Sequence, residues 1–137
     1  MATVLQHITR AARLIGVLQE GEQLNADAAG DFIGALQSMI AAWENEGVQL
    51  SGLVGATLAA GTNLAVPATH DEAIQTNLAL RMAPEYGATA VISPLLIERA
   101  ETSFRNLQGI YADDIPMTVE PALLRGGRIG IWDGDWQ

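Results

Sequence analysis

The sequence predicts an all-α protein, a small four-helix bundle followed by an extended C-terminal tail. Two observations predict this class: apolar residues recur at spacings of three and four in four segments, and a residue that can cap a helix precedes each of them. The helical domain covers residues 1–109 and the tail covers residues 110–137. A chain of this length needs only one hydrophobic core.

The second helix, predicted over residues 25–47, is the central one because it carries the most regular apolar stripe. Asn25 can cap its first turn, Asp27 suits the positive end of the helix dipole, and Gly47 can adopt the left-handed conformation that ends it. These are packing positions and indicate no ligand. The stripe consists of Ala29, Phe32, Ile33, Leu36, Met39, Ile40 and Trp43.

The first helix is predicted over residues 3–15, where Thr3 followed by Gln6 matches a capping box. Arg10 and Arg13 belong to its polar side, and His7 is assigned to a mostly polar flank. Residues 16–24 then form a short polar link, which favours antiparallel packing of the first two helices. The apolar face consists of Val4, Leu5, Ile8, Ala11, Ala12 and Ile15.

The segment between the second and third helices, residues 48–67, loses the helical period and is rich in glycine. It predicts a long arm with at most a short β-hairpin, whose strands at 57–59 and 63–66 flank a turn near Gly61. Its leucines indicate a surface that is ordered by contact with something else. Three of them are assigned to a subunit interface: Leu53, Leu58 and Leu64.

The third helix is predicted to begin at Thr69, with Glu72 completing a second capping box, and to end near Pro84 and Gly87. It is apolar on two nearly opposite sides, so it should be covered on both. Either a neighbouring subunit covers the second side, or both sides are buried within the chain. The first side carries Ile74, Leu78 and Met82, and the second carries the candidate interface residues Ala73, Leu80 and Ala83.

The fourth helix is predicted to begin with Ser93 as its cap and Pro94 at its first position, and to end before Gly109. Glu101 and Arg105 are spaced for an ion pair between successive turns. The pattern again indicates packing and no chemistry. The apolar face consists of Leu96, Ile97, Ala100, Phe104 and Leu107.

The C-terminal tail is too apolar to be left in water, unlike most terminal segments. We expect it to dock on a partner, and residues 129–132 could add a strand to an exposed sheet edge. Folding back onto its own bundle is the alternative. The residues assigned to docking on that partner are Ile129, Ile131, Trp132 and Trp136.

Charge and composition exclude several classes of function. The net charge of −9 comes from sixteen acidic residues against seven arginines, and there is no lysine. Such a chain is a poor candidate for tight binding to nucleic-acid phosphates. No apolar run reaches the length of a membrane span. The first residues have the pattern of an amphipathic helix and lack that of a signal peptide. We therefore expect a soluble cytoplasmic product. The absence of cysteine excludes disulfides and thiolate chemistry.

No catalytic constellation stands out, so the sequence predicts no enzyme, no cofactor and no metal. His7 and His70 are the only histidines, and neither has a companion at metal-ligand spacing. Acidic pairs such as Glu20 and Glu22 lie in links or tails, where solvated charge is the better explanation. Phosphate-binding loops and the GxSxG motif do not occur in the sequence.

Two segments together resemble the tailed-phage head-to-tail connector family, the adaptor or head-completion group that includes the P22-like packaged-DNA stabilisation proteins. The resemblance covers roughly residues 3–107. The first segment is the pattern Leu36, Met39, Trp43, Gly47, Val48 and Leu50. The second is LAVP at 64–67 followed by AIQTNLALRMAPEYG at 73–87, and its most diagnostic run is Asn77, Leu78 and Ala79 followed by residues 83–87. The tail matches no part of the family pattern.

The resemblance implies a structural virion protein that forms a ring of about twelve copies beneath the portal, with heterologous subunit contacts that close on themselves. Such a ring extends the DNA channel, helps to retain packaged DNA without sequence-specific binding, and docks the next tail or stopper protein. It implies assembly in a bacterial host cytoplasm and a final place in the neck of the virion. The family supplies no catalytic residues that map onto this chain.

Two alternatives from other classes remain open. The first is a peptidoglycan hydrolase used during infection, which requires one acid in an apolar pocket, for which Glu44 and Glu85 are the candidates. The second is a small monomeric binding module with no role in a particle. It predicts a stable monomer whose tail folds back.

Overall fold

The structure, a computed structural model, describes residues 2–50, 53, 56–88 and 92–112. This part of the chain is all-α, as predicted, and contains four α-helices and no strand. A single turn of 3-10 helix, Ala68–His70, precedes the third of them. No helix in the described ranges is long and apolar enough to cross a membrane. The helices are α1 Val4–Leu14, α2 Ala26–Asn45, α3 Asp71–Met82 and α4 Pro94–Tyr111.

The capping box that opens α1 is confirmed. The Gln6 N–H donates to Thr3 Oγ1 at 3.2 Å, and the Thr3 N–H donates to Gln6 Oε1 at 2.9 Å. Two further N–H groups at this end find acceptors in the link before α3: Val4 donates to the Thr62 carbonyl and Leu5 to the Ala60 carbonyl, both at 2.9 Å. The first N–H groups of a helix have no acceptors within the helix, and here carbonyl groups distant in the sequence accept their hydrogen bonds.

These contacts explain why the predicted β-hairpin does not form in the described part of residues 48–67. A turn near Gly61 does occur, closed by the Thr62 N–H on the Ala59 carbonyl at 3.0 Å. Beyond it, however, the backbone pairs with the start of α1, where Asn63 forms an isolated bridge with Thr3. The strand assignments at 57–59 and 63–66 are therefore wrong, because α1 competes for the same backbone groups.

The helix α2 has the ends and the stripe that the sequence predicts. Asn25 Oδ1 accepts from the Ala28 N–H at 2.7 Å, and Gly47 has the left-handed φ of 89° that terminates the helix. The most deeply buried residues of the stripe are Phe32, Leu36, Met39, Ile40 and Trp43.

The predicted start of α3 is wrong. The helix begins at Asp71 without a side-chain cap, because Thr69 Oγ1 instead contacts His70 Nδ1 at 3.0 Å. Glu72 is also engaged elsewhere, since its Oε1 accepts from Arg99 Nη2 on α4 at 2.7 Å. At the other end the helix stops at Met82, and Gly87 takes a positive φ of 64°, as expected.

The helix α4 begins as predicted and ends later. Ser93 Oγ accepts from the Leu96 N–H at 3.2 Å, with Pro94 in the first turn. The helix continues through Gly109 to Tyr111, so the expected domain boundary at 109/110 falls inside it. Glu101 and Arg105 form no ion pair within the described residues. An ion pair does join α4 to α3, between Arg99 and Glu72.

The core forms around α3, which contacts all three other helices, while α1 also contacts α2. Both apolar sides of α3 are thus covered by the chain itself. The link between α2 and α3 contributes to the same core, so its leucines are buried within the chain. Its buried side chains are Val48, Leu50, Leu53, Leu58, Leu64 and Val66.

Candidate functional site

The residues assigned to a subunit interface lie mainly inside the chain. Only Leu80 is half-buried, and it therefore retains some exposed surface. No neighbouring subunit is needed to bury Ala73 and Ala83 on the second side of α3, because the chain itself already buries them. The interface assignment itself stays a prediction. The buried members are Ala73, Ala83, Leu53, Leu58 and Leu64.

The residues assigned to portal or tail docking lie outside the described residues. The structure describes the chain up to Ala112, so the docking and fold-back alternatives both stay predictions. The four docking residues are Ile129, Ile131, Trp132 and Trp136.

A polar cluster at the start of α3 is the main feature that the sequence did not predict; we call it the histidine cluster. It consists of His7 from α1, His70 and Asp71 at the start of α3, Gln75 one turn further along α3, and Tyr111 at the end of α4. Both histidines are buried, and Thr76 is the other buried polar residue in the described part of the chain. The cluster joins three helices.

His7 is fully buried, which corrects its assignment to a polar flank. Gln75 Nε2 lies 3.4 Å from His7 Nδ1 and donates to it in the tautomer that carries the ring proton on Nε2. That Nε2 has no hydrogen-bond partner among the described residues and lies 3.6 Å from Asp71 Oδ1, beyond normal hydrogen-bond distance. A small movement of Asp71 would satisfy it.

His70 connects the beginning of α3 to the end of α4. Its Nε2 lies 2.8 Å from the Tyr111 hydroxyl, and its Nδ1 lies 3.0 Å from Thr69 Oγ1. The two rings meet edge to face, with centroids 5.5 Å apart. Both ring nitrogens of this buried histidine are therefore satisfied.

Burial lowers the pKa of both His7 and His70, because desolvation disfavours the imidazolium; the Asp71 carboxylate opposes this with a smaller raising effect. Both side chains thus favour the neutral form. No group of three or more histidine, cysteine or acidic residues in the described ranges could hold a metal ion. The geometry is that of a structural clasp between helices.

The outer surface of α1 forms a groove of about 450 Å³, which we call the α1 groove. Two of its residues, Arg10 and Arg13, are exposed and form no ion pair with any described residue. Leu5 is 44% exposed there, although the sequence assigned it to the apolar face. The lining residues are Leu5, Gln6, Thr9, Arg10, Arg13 and Gln75.

Large apolar side chains are also exposed on α4. Leu95 is 62% exposed and Ile110 is 60% exposed, and Ile97 is less so. Fifteen residues separate Leu95 from Ile110, which places them about 60° apart around the helix and about 22 Å apart along it. Ile97 lies on another side. One side of α4 therefore offers an apolar residue near each end.

The two acids that a hydrolase would need are not placed in apolar pockets. Glu44, near the end of α2, and Glu85, in the turn after α3, are both exposed. A carboxyl group in such a position lacks the desolvated surroundings that make an acid catalyst. The exposure of these two residues gives the hydrolase alternative no support.

The apolar stripe of α1 gave no signal that His7 would be buried and Leu5 exposed. Measured from the centre of the stripe formed by Val4, Ile8, Ala11, Ala12 and Ile15, both residues lie about 80° away around the helix, on opposite sides. The contacts with Gln75 and Asp71 join positions far apart in the chain. No local pattern could have predicted them.

The comparisons with known proteins do not assign a family. No protein-family model matches the chain, and no match was found among curated proteins. The class that the fold defines is an all-α domain with a buried histidine cluster.

Proposed function

We propose that this protein is a structural head-to-tail adaptor of a tailed phage or a phage-derived particle. Its copies form a ring of twelve beneath the portal, extend the DNA channel, help to retain packaged DNA and dock the next tail or stopper protein. Assembly takes place in the bacterial host cytoplasm, and the final location is the neck of the virion. The finer architecture, a four-helix bundle with the link between α2 and α3 as a glycine-rich arm, belongs to this proposal.

The observation that carries the proposal is the exposed apolar surface of α4. Leu95 and Ile110 are each about three-fifths exposed on the helix that leads directly into the apolar tail. Each of them offers apolar surface that a partner protein would bury, although at about 22 Å apart they do not form one continuous patch. The resemblance of the segments at 36–50, 64–67 and 73–87 supports the particular kind of assembly.

The net negative charge of the chain fits a ring that surrounds DNA without binding it tightly. A net charge of −9 leaves little capacity to neutralise phosphates, so DNA could pass without being held. The same charge also serves solubility. It is therefore a supporting observation and not the basis of the proposal.

The test is sedimentation of the full chain with the portal ring encoded by the same genome. The proposal predicts co-sedimentation in a fixed ratio. Replacing Leu95 and Ile110 together (Leu95→Ser, Ile110→Ser) should weaken co-sedimentation without changing the unfolding temperature by more than about 5 °C, because both side chains are exposed.

The matched control is Ile97→Ser, which removes an apolar side chain from a different side of α4. It should leave co-sedimentation unchanged. Absence of co-sedimentation with the portal, or equal losses in the double variant and in Ile97→Ser, would contradict the proposed role of this surface.

A further inference from the structure

The α1 groove has an unusual combination of properties for this chain. Arg10 and Arg13 lie one turn apart on α1 and leave two positive charges at the groove, next to the exposed apolar side chain of Leu5. Gln6 and Gln75 add amide groups at its edges. Such a groove suits a ligand that carries both negative charge and apolar surface.

The charge at the groove contrasts with the rest of the molecule. The whole chain has a net charge of −9, and Arg99, on α4, is already paired with Glu72. Neither Arg10 nor Arg13 has such a pair among the residues that the structure describes. Arg81 and Arg105 have none there either, but they lie on different helices, whereas Arg10 and Arg13 lie one turn apart in the same groove. The positive electrostatic potential of Arg10 and Arg13 would therefore attract an acidic ligand to the α1 groove.

The last residues of the chain have the complementary chemistry. Residues 131–136, IWDGDW, place two carboxylates among three large apolar side chains. Carboxylates pair with arginine through charge-assisted hydrogen bonds, and a tryptophan ring packs on a guanidinium face or on an apolar neighbour such as Leu5. We propose that in the free chain this C-terminal segment occupies the α1 groove of the same molecule.

The path of the chain permits this contact. At the end of α4, the Tyr111 hydroxyl lies 2.8 Å from His70 Nε2, at the start of α3. Gln75, which lines the groove, lies five residues after His70, about 7.5 Å along the helix axis. The twenty residue-to-residue steps from Ala112 to Trp132 can span up to about 65 Å. A tether of this length gives an effective concentration near the millimolar range, which favours the groove of the same chain over that of a second copy.

The inference does not depend on the adaptor role. It concerns the free chain and would hold for a monomeric protein as well. Failure of the contact would leave the portal test unaffected, and failure of the portal test would leave the contact standing.

The natural sequence has no cysteine, so a pair of introduced cysteines reports the contact directly. The full-length variant Thr9→Cys with Gly134→Cys should form a disulfide with diamide as the oxidant, and the product should be a monomer on a non-reducing denaturing gel. The reference pair is Thr102→Cys with Gly134→Cys, because Thr102 is exposed on α4 and lines a different groove. We expect the groove pair to react about tenfold faster.

Removing the arginines tests the charge contact. Arg10→Gln with Arg13→Gln should slow cross-linking of the groove pair several-fold. The matched control is Arg81→Gln with Arg105→Gln, which changes the net charge equally; Arg81 lies in the last turn of α3, as Arg13 lies in the last turn of α1. This control should have no effect. Equal rates for the two cysteine pairs, a dimeric product, or insensitivity to loss of Arg10 and Arg13 would each overturn the inference.

Discussion

The histidine cluster shows how two buried imidazoles can stabilise a small helical protein while they are neutral. His7 and His70 contribute ring surface to the core and hydrogen bonds between helices. Burial lowers the pKa of each, and the Asp71 carboxylate, the charged group that faces both, only partly opposes the effect. The cluster therefore couples helix packing to proton concentration.

The pH dependence follows from the sign of these shifts. In the unfolded chain a histidine takes up a proton near pH 6.5, whereas the folded chain does so only at lower pH. Between about pH 7.5 and 5.5 the unfolded state thus binds more protons, so the free energy of unfolding should decrease as the pH falls. Urea denaturation at a series of pH values measures this dependence.

His7→Gln should reduce that dependence, because it removes the more deeply desolvated of the two titrating groups. The variant should be less stable than the natural chain at pH 7.5 and closer to it at pH 5.5. His70→Gln provides the comparison, since it leaves His7 in place. Identical pH dependence in the natural chain and in both variants would rule out this role for the cluster.

The Tyr111 hydroxyl should contribute measurable stability through its contact with His70 Nε2. Tyr111→Phe leaves one nitrogen of a buried histidine without its partner, and we expect a loss of about 1–2 kcal/mol in the free energy of unfolding. Tyr86→Phe is the matched control, since the Tyr86 hydroxyl has no hydrogen-bond partner in the described part of the chain and its ring still stacks on Phe32. Equal effects of the two substitutions would show that the hydrogen bond contributes nothing.

At the scale of the elements, glycine has opposite effects inside and at the end of α2. Gly34 lies within the helix, whereas Gly47 follows it with a φ of 89°. A Cβ added at either position would meet nothing within 4 Å, so any difference arises from the backbone alone. This pair isolates the conformational role of the terminator.

We therefore predict opposite outcomes for two alanine substitutions in α2. Gly34→Ala should raise the free energy of unfolding by about 0.5–1 kcal/mol, because alanine is the better helix former. Gly47→Ala should lower it by about 1 kcal/mol or more, because alanine is strained in the left-handed region. Thermal and urea unfolding measure both changes. A stabilising Gly47→Ala would show that the left-handed conformation is not required there.

The elements also show which features a single sequence can predict. The caps at Asn25 and Ser93 and the terminator at Gly47 depend on residues within one turn of each other, and all three are confirmed. The predicted cap at Thr69 and the hairpin in the link before α3 are wrong. At both places a residue distant in the sequence makes the competing contact. Glu72 pairs with Arg99 on α4, and the Thr62 carbonyl accepts from the Val4 N–H at the start of α1.

The candidate sites divide in the same way. Arg10 and Arg13 belong to the polar side of an amphipathic helix, so their exposure could be predicted. The presence of Gln75 beside them, and the joining of His7 to Asp71, depend on how α1 packs on α3. Contacts between residues more than sixty positions apart leave no periodic signal in one sequence.

For the whole molecule, the central question is whether the chain acts alone or in an assembly. The buried leucines of the link show that one chain can cover most of its own core. The two most exposed large apolar residues in the described part of the chain lie on α4, Leu95 at its start and Ile110 at its end next to the tail. The adaptor proposal thus depends on contacts made by α4 and the tail, and less on α3 than the sequence suggested.

The most direct measurement is native mass spectrometry of the full chain mixed with the portal ring of the same genome. The account predicts a complex whose mass equals the portal plus about twelve chains, following cyclic symmetry. Trp132→Ser with Trp136→Ser should reduce the occupancy of that complex. A spectrum that contains only separate portal rings and monomeric chains would contradict the account.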